Sequence, residues 1–265
     1  MSTEATEKIL AAKSGGIGTL TFNAPEKRNA ISPEMSEAAA EVLEDFSADD
    51  AIRVIVLTGA GDKAFVSGGD ISTYEKQRAT AEQQAAYNKR SARLRTVLRN
   101  AGKPTIAKIR GYCLGGGMAI ALNCDLRICS EDAQFGIPAA KLGIGYGVDA
   151  LALLVQLTGP SVAKEILFTA RRINAQEALR TGVVNQVVPA AELDAFVDSY
   201  AQTIAANAPL SIIAAKRTID ECVKDAQDRN AELCEQLVAD CFASQDYIEG
   251  RRAFMEKRKP VFTGR

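Results

Sequence analysis

The chain has 265 residues, 47 % apolar and 25 % charged, the balance of a globular protein rather than a disordered or collagen-like one. Histidine is absent, which excludes Ser-His-Asp and Cys-His triads, paired-histidine zinc helices and imidazole proton shuttles. A net charge of −1, no tryptophan and few aromatics argue against nucleic acid or anionic lipid as a partner.

Residues 1–13 have no apolar signal core and carry Glu4 and Glu7. No run of about 18 uncharged apolar residues follows, so no membrane span is expected and a cytoplasmic protein is. Ile17–Phe22 has a strand's composition after the turn signal Gly15-Gly16. Ser32-Pro33 reads as a helix N-cap with proline at the first helical position, and Met35, Ala39, Val42 and Phe46 follow at helical spacing. Val54–Leu57 is a continuous apolar run, as in a strand buried on both faces. A polar helical segment spans roughly Ala79–Arg99, and Gly102-Lys103-Pro104 breaks it.

Thr105–Ile109 is the next strand, and Met118–Leu122 suits a short buried helix. Leu126 and Ile128 alternate with Asp125 and Arg127, which predicts a half-buried strand. Asn174 and Glu177 form a capping-box pattern, and Val183–Val188 is the last predicted strand. From Ala191 the pattern is helical only. Leu193, Phe196, Val197, Tyr200 and Ile204 form one stripe; Leu233, Leu237 and Cys241 mark a later one. A boundary is placed near residue 195, giving an α/β part (1–195) and a helical part (196–265).

The six cysteines form no C-x-x-C pair and read as reduced core thiols; no metal site is expected. Two glycine clusters carry the chemistry. One is Ala64-Phe65-Val66-Ser67-Gly68-Gly69-Asp70-Ile71; the other is Gly111-Tyr112-Cys113-Leu114-Gly115-Gly116-Gly117. Each follows a strand, and the second opens a helix. Glycine lets backbone amides approach a ligand, and one amide from each loop makes an oxyanion hole. Two tight turns without a ligand explain the glycines equally well. Neither cluster fits G-x-G-x-x-G with a suitable downstream acid. Gly102-Lys103 is followed by proline and preceded by Val97, so a P-loop is absent.

These loops resemble the crotonase, or enoyl-CoA hydratase/isomerase, superfamily. The resemblance runs from about Ile9 to Arg265. It also rests on Lys27-Arg28-Asn29-Ala30-Ile31, Ala133–Pro138, Phe168–Ala175 and Ala253–Pro260. It implies an α/β spiral of ββα units with a C-terminal helical region that builds homotrimers, often paired into hexamers. It implies an acyl-CoA thioester as ligand, with coenzyme A arriving on the substrate and no separate cofactor. The thioester carbonyl would bind between the amides of Gly69 and Gly116. Lys27 or Arg28 would meet the CoA phosphates, and Phe254, Lys257 and Phe262 would reach a neighbour's adenine. Ala64, Val66, Gly68, Asp70, Ile71 and Leu114 are carried over as substrate-binding positions, although Asp70 also reads as fixing its own loop.

Two departures bear on activity. The resemblance implies a glutamate two residues after the glycine run and another after the proline that follows Phe-Gly. Here these substrate-binding positions are Ala119 and Ala139. Alanine neither takes nor gives a proton, so water addition by the usual route lacks both its acid and its base. Tyr146 matches a tyrosine of methylmalonyl-CoA decarboxylase, a family member in which enolate stabilisation accompanies loss of CO₂; a tyrosine filling the pocket wall is the plain alternative. Asp149 reads as a helix N-terminal carboxylate. Three functions stand: an enolate-stabilising acyl-CoA lyase or isomerase of fatty-acid-type metabolism, a malonyl-type decarboxylase using Tyr146, and an acyl-CoA-binding protein without turnover. A pocket-facing acid would favour hydration; Tyr146 without an acid would favour decarboxylation or no catalysis.

Overall fold

The computed structural model describes residues 7–70 and 79–265. Strands β1 (Ile9–Ser14) and β2 (Ile17–Phe22) pair antiparallel across Gly15-Gly16, whose φ angles are 57° and 80°. Two consecutive positive φ angles give a turn whose twist suits a hairpin. Sequence patterning predicts β2 but not β1. Only Ile9 of β1 is buried, so this edge strand has no alternation to read. Helix α1 (Pro33–Ala48) starts as predicted: the Ser32 hydroxyl accepts from the Met35 amide at 3.2 Å.

The chain then winds as a spiral, each turn giving one strand to each of two sheets and ending in a helix. The first full turn is β3 (Val54–Gly59), β4 (Ala64–Val66) and α2 (Ala81–Arg99). The second is β5 (Thr105–Ile109), β6 (Tyr112–Leu114) and α3 (Gly116–Leu122). The third is β7 (Leu126–Ser130), β8 (Gln134–Gly136) and α4 (Val148–Thr169). The remaining strands are β9 (Ile173–Asn174) and β10 (Gln186–Val188). One sheet runs β1-β2-β3-β5-β7-β10 and the other β4-β6-β8-β9. The spiral of ββα units is thus present. Strands β4, β6 and β8 are parallel neighbours, so their ends lie on one side of that sheet, and the glycine loops follow the first two.

Burial explains the apolar run of β3. Ile55 and Leu57 enter the core between the layers, while Val54 and Val56 face a second core with Leu193, Val197 and Ala201 of α6 (Leu193–Ala205). The predicted stripe on α6 therefore covers the outer sheet face, and a boundary at residue 195 falls within this helix. Before α6, the short α5 (Ala175–Arg180) is capped by Asn174, whose Oδ1 accepts from the Glu177 amide at 2.8 Å. The capping box is half formed, because the Glu177 carboxylate pairs with Arg171 instead.

Three further expectations change. The predicted strand over Val183–Val188 shortens to β10, and Val183 and Val184 enter the core ahead of it. Arg127 is buried rather than outward: its Nε and Nη1 donate to the carbonyls of Val183 and Cys124, both at 2.7 Å. Those acceptors offset the cost of desolvating the cation. Cys113, Cys124 and Cys129 are buried thiols as expected, with burial pushing Cys124 and Cys129 up to about 12, but Cys222 is exposed and Cys234 and Cys241 are half-buried.

The last helices are α7 (Pro209–Cys222), α8 (Ala231–Ala243) and α9 (Gln245–Glu256). Helix α8 has no fully buried residue: along its stripe Leu237 and Cys241 are half-buried and Leu233 is exposed. By length and composition α4 is the one described helix apolar enough to cross a membrane. It is kinked at Gly159 (φ 75°) ahead of Pro160, and its first turn forms part of the cleft described next.

Candidate active site

The two glycine loops meet. Gly117 explains how: a β-carbon there would collide with the carbonyl of Val66, so only glycine lets α3 start against β4. The approach continues one residue earlier. A β-carbon built on Gly116 would sit 3.6 Å from the Gly69 nitrogen and 3.7 Å from the Ile31 side chain. Ile31 holds the first loop through a parallel bridge. Its amide donates to the Gly68 carbonyl at 2.8 Å, and its carbonyl accepts from Asp70 at 3.0 Å. That pattern skips the amide of Gly69. The Gly116 amide is the first of α3 and has no carbonyl one turn back. Among the described residues, neither N–H has an acceptor within the chain.

Both glycines line a cleft of about 690 Å³. Ile31, Ala119, Ile120 and Ile144 supply its apolar wall. The loop Gly143–Gly147 and the first turn of α4 supply another side, with Tyr146 half-buried and Asp149 exposed. Helix α2 closes it with Gln84, Tyr87, Ser91 and Arg95, four half-buried residues spaced along one helical face. Two unpaired amides in a cleft of this polarity can hold an oxygen that gains negative charge.

The remaining predicted positions lie around the cleft or away from it. Lys27 pairs with Asp70 at 2.9 Å, which gives Asp70 the loop-fixing contact expected of it. Arg28 lies over the Tyr112 ring at 5.3 Å, and Arg172 lies over the same ring at 4.9 Å. Asn29 explains the Lys27–Ile31 motif structurally. It is buried at φ 54°, accepts from the Ala24 amide and donates to the carbonyls of Ala60 and Ala64. Ala64 and Val66 are buried in β4, Gly68 takes φ 126° and Leu114 ends β6; these four shape the loops without lining the cleft. Ala139 is 6 % exposed in the core beside the cleft rather than on its wall. Phe254 and Lys257 lie elsewhere: Phe254 lines an apolar hollow of about 780 Å³ between α7 and α9, and Lys257 caps α9 at φ 54°. Two polar side chains of that hollow are engaged: Ser244 caps α9 and Asp246 accepts from the amides of Thr263 and Gly264. Ile71 lies outside the described residues.

The sequence matches the enoyl-CoA hydratase/isomerase family model over residues 12–265. The chain belongs to the enoyl-CoA hydratase/isomerase family. It is 34 % identical to a short-chain-enoyl-CoA hydratase of Clostridium acetobutylicum, covering 95 % of each chain. It is 37 % identical to a carnitinyl-CoA dehydratase of Escherichia coli, covering 98 % of this chain and 99 % of that one. A solved enoyl-CoA hydratase/carnitine racemase from Magnetospirillum magneticum superposes with a TM-score of 0.94 at 38 % identity, covering 98 % of this chain and 97 % of the other.

As a member of this family, the chain has a cleft with two alanines where proton-transferring carboxylates are expected, one on the wall and one behind it. Tyr146 and Asp149 both line it, so the condition set for decarboxylation, Tyr146 without an acid, is not met, and the cleft holds the acid that a hydration reading asks for. The distinction lies in exposure: Asp149 is on the open side and Tyr146 is tucked against the core. Among the cleft-lining residues that sequence reasoning did not single out is Arg95. Its signal was present in the polar segment as Gln84, Tyr87, Ser91 and Arg95, spaced at i, i+3, i+7 and i+11. A solvated helix face gives the same signal.

Proposed function

We propose that this protein is an acyl-CoA enzyme that holds the thioester carbonyl between the amides of Gly69 and Gly116 and stabilises the enolate formed there. The observation that carries this reading is the pair of amides without acceptors among the described residues, brought together in one cleft by Ile31 and Gly117. The family relationship supports coenzyme A as the carrier, since the hydratase and dehydratase relatives are named for acyl-CoA substrates.

The reaction that suits these side chains is loss of CO₂ from a malonyl-type acyl group. The electron pair of the bond to the carboxylate moves into the thioester as an enolate, CO₂ departs, and the α-carbon takes a proton from water. No general base is needed to start it, which fits Ala119 in the wall. In this reading Tyr146, which lines the cleft, orients the departing carboxylate by a hydrogen bond. Exposed Asp149 is the remaining acid for a hydration reading. The test is a panel of crotonyl-, malonyl- and methylmalonyl-CoA followed by mass spectrometry. Loss of 44 mass units from a malonyl-type substrate is expected, and turnover of crotonyl-CoA alone overturns decarboxylation. Binding without any turnover supports an acyl-CoA-binding protein instead.

The reading includes assembly. Helices α7–α9 and Val223 just after α7 leave Ile219, Val223, Phe242, Phe254 and Met255 exposed, the last two at 83 % and 80 %. Burying such a surface against further copies is the ordinary outcome for apolar area of this kind. Light scattering is expected to give a trimer or hexamer at micromolar concentration; a stable monomer contradicts it.

A further inference from the structure

Helix α2 carries four arginines, and three are accounted for by neighbours. Arg90 pairs with Glu34 at 3.7 Å, Arg93 with Glu44 at 3.0 Å, and Arg99 donates to the Asn123 side chain at 3.2 Å. Arg95 differs. Among the described residues its guanidinium has a single hydrogen bond, from Nη1 to the Ser91 carbonyl of its own helix at 3.1 Å, and no ion pair. It is also the arginine of the four that lines the cleft. One N–H bond leaves most of the five-donor fork unused.

The surroundings sharpen the contrast. Burial pulls the Arg95 pKa below its ordinary value and Arg99 adds to this, whereas Tyr146, Asp149 and Tyr87 act in the opposite direction. A guanidinium stays charged under such a shift. The cleft therefore holds a half-buried cation on the same wall as Tyr87 and across from Tyr146, with the apolar Ile31, Ala119 and Ile144 nearby. Asp149, the carboxylate that lines the cleft, is exposed and forms no ion pair with Arg95 among the described residues, so a neutral saturated acyl chain leaves the guanidinium without a close carboxylate. A carboxylate supplies the partner, and the planar fork matches it bidentately.

We infer that Arg95 determines substrate choice by pairing with a carboxylate on the acyl group, so that the ligand is the CoA monothioester of a dicarboxylic acid. The inference rests on the proposed acyl-CoA reading of the same cleft and adds the acyl class and the residue that reads it. The carboxylate is either the one that departs, as in a malonyl group, or one further along the chain.

Calorimetric titration of the full-length protein with malonyl-, succinyl- and glutaryl-CoA tests this. Each is set against the monocarboxylic thioester of equal carbon number: propionyl-, butyryl- and valeryl-CoA. The wild type is expected to favour at least one carboxylated member about 10- to 100-fold, the range of a hydrogen-bonded charge pair. Arg95→Gln is expected to bring that ratio close to one. Arg95→Lys keeps the charge without the fork and is expected to fall between. The preferred chain length tells a departing carboxylate from a distal one. Equal affinity for both sets in the wild type, or a ratio unchanged in Arg95→Gln, overturns the inference while leaving acyl-CoA binding in place. If Arg95→Gln does not fold, an Arg95→Lys ratio equal to that of the wild type overturns the bidentate pairing. Failure of the wild type to bind either set overturns the acyl-CoA reading and the inference together.

Discussion

Gly116→Pro is expected to lower turnover of the preferred acyl-CoA by about 10²–10³-fold, the cost typical of losing one oxyanion-hole donor. Proline has no N–H, so one of the two amides in the cleft disappears while the backbone around it is largely kept. The substitution suits the site because Gly116 opens α3, and the first helical position tolerates proline. Its neighbour is the wrong place for such a test, since any side chain at Gly117 collides with Val66. The measurement is kcat and KM on the substrate that emerges from the panel, with circular dichroism to verify the fold. A loss concentrated in kcat marks an interaction made mainly in the transition state. Unchanged kcat in a folded Gly116→Pro protein would remove this amide from the mechanism.

Introducing glutamates tests the opposite side of the reaction. Ala119→Glu with Ala139→Glu is expected to raise crotonyl-CoA hydration well above a slow parent, because a positioned acid or base contributes about 10²–10⁴-fold. The structure makes the two positions unequal. Ala119 lines the cleft, so a carboxylate there reaches the space the acyl group would occupy. Ala139 is buried in a short 3₁₀ turn (Pro138–Leu142) behind the wall. A glutamate at that position must turn toward the cleft or bury its charge, and a buried unpaired carboxylate is strongly unfavourable. Most of the gain is therefore expected from Ala119→Glu, and a lowered Tm from Ala139→Glu alone. Rapid hydration by the unaltered protein, lost in Asp149→Asn, would show instead that the base has moved to the first turn of α4.

These expectations draw on different amounts of sequence and structure. Local signals were legible wherever one residue type has one use. Ser32-Pro33 opened a helix, Gly15-Gly16 marked a turn before β2, and the two glycine clusters marked loops that come close to something. The apolar run of β3 announced burial on both faces without telling which residues face which core. The ordered motifs from Lys27 to Pro260 carried the family, and with it the expected positions of the missing glutamates.

The tertiary structure alone decided matters where one pattern serves two environments. β1 is an edge strand with one buried residue, so its sequence looks like a loop. Arg127 looks like an outward charge until the carbonyls of Val183 and Cys124 are placed around it. Asn174 and Glu177 read as a reciprocal cap, but Arg171 competes for the carboxylate from outside the helix. Arg95 is the largest case. A polar face at helical spacing is the same string of residues whether it meets water or a cleft. What separates the two is the matter opposite: here the Gly143–Gly147 loop and the start of α4, some fifty residues away in sequence, fold across α2 and turn a solvated face into a wall. Chain sequence determined the glycine loops and the absent carboxylates, since both are facts of residue type. Spatial closure determined which charge remains for the substrate, because that depends on who stands within reach.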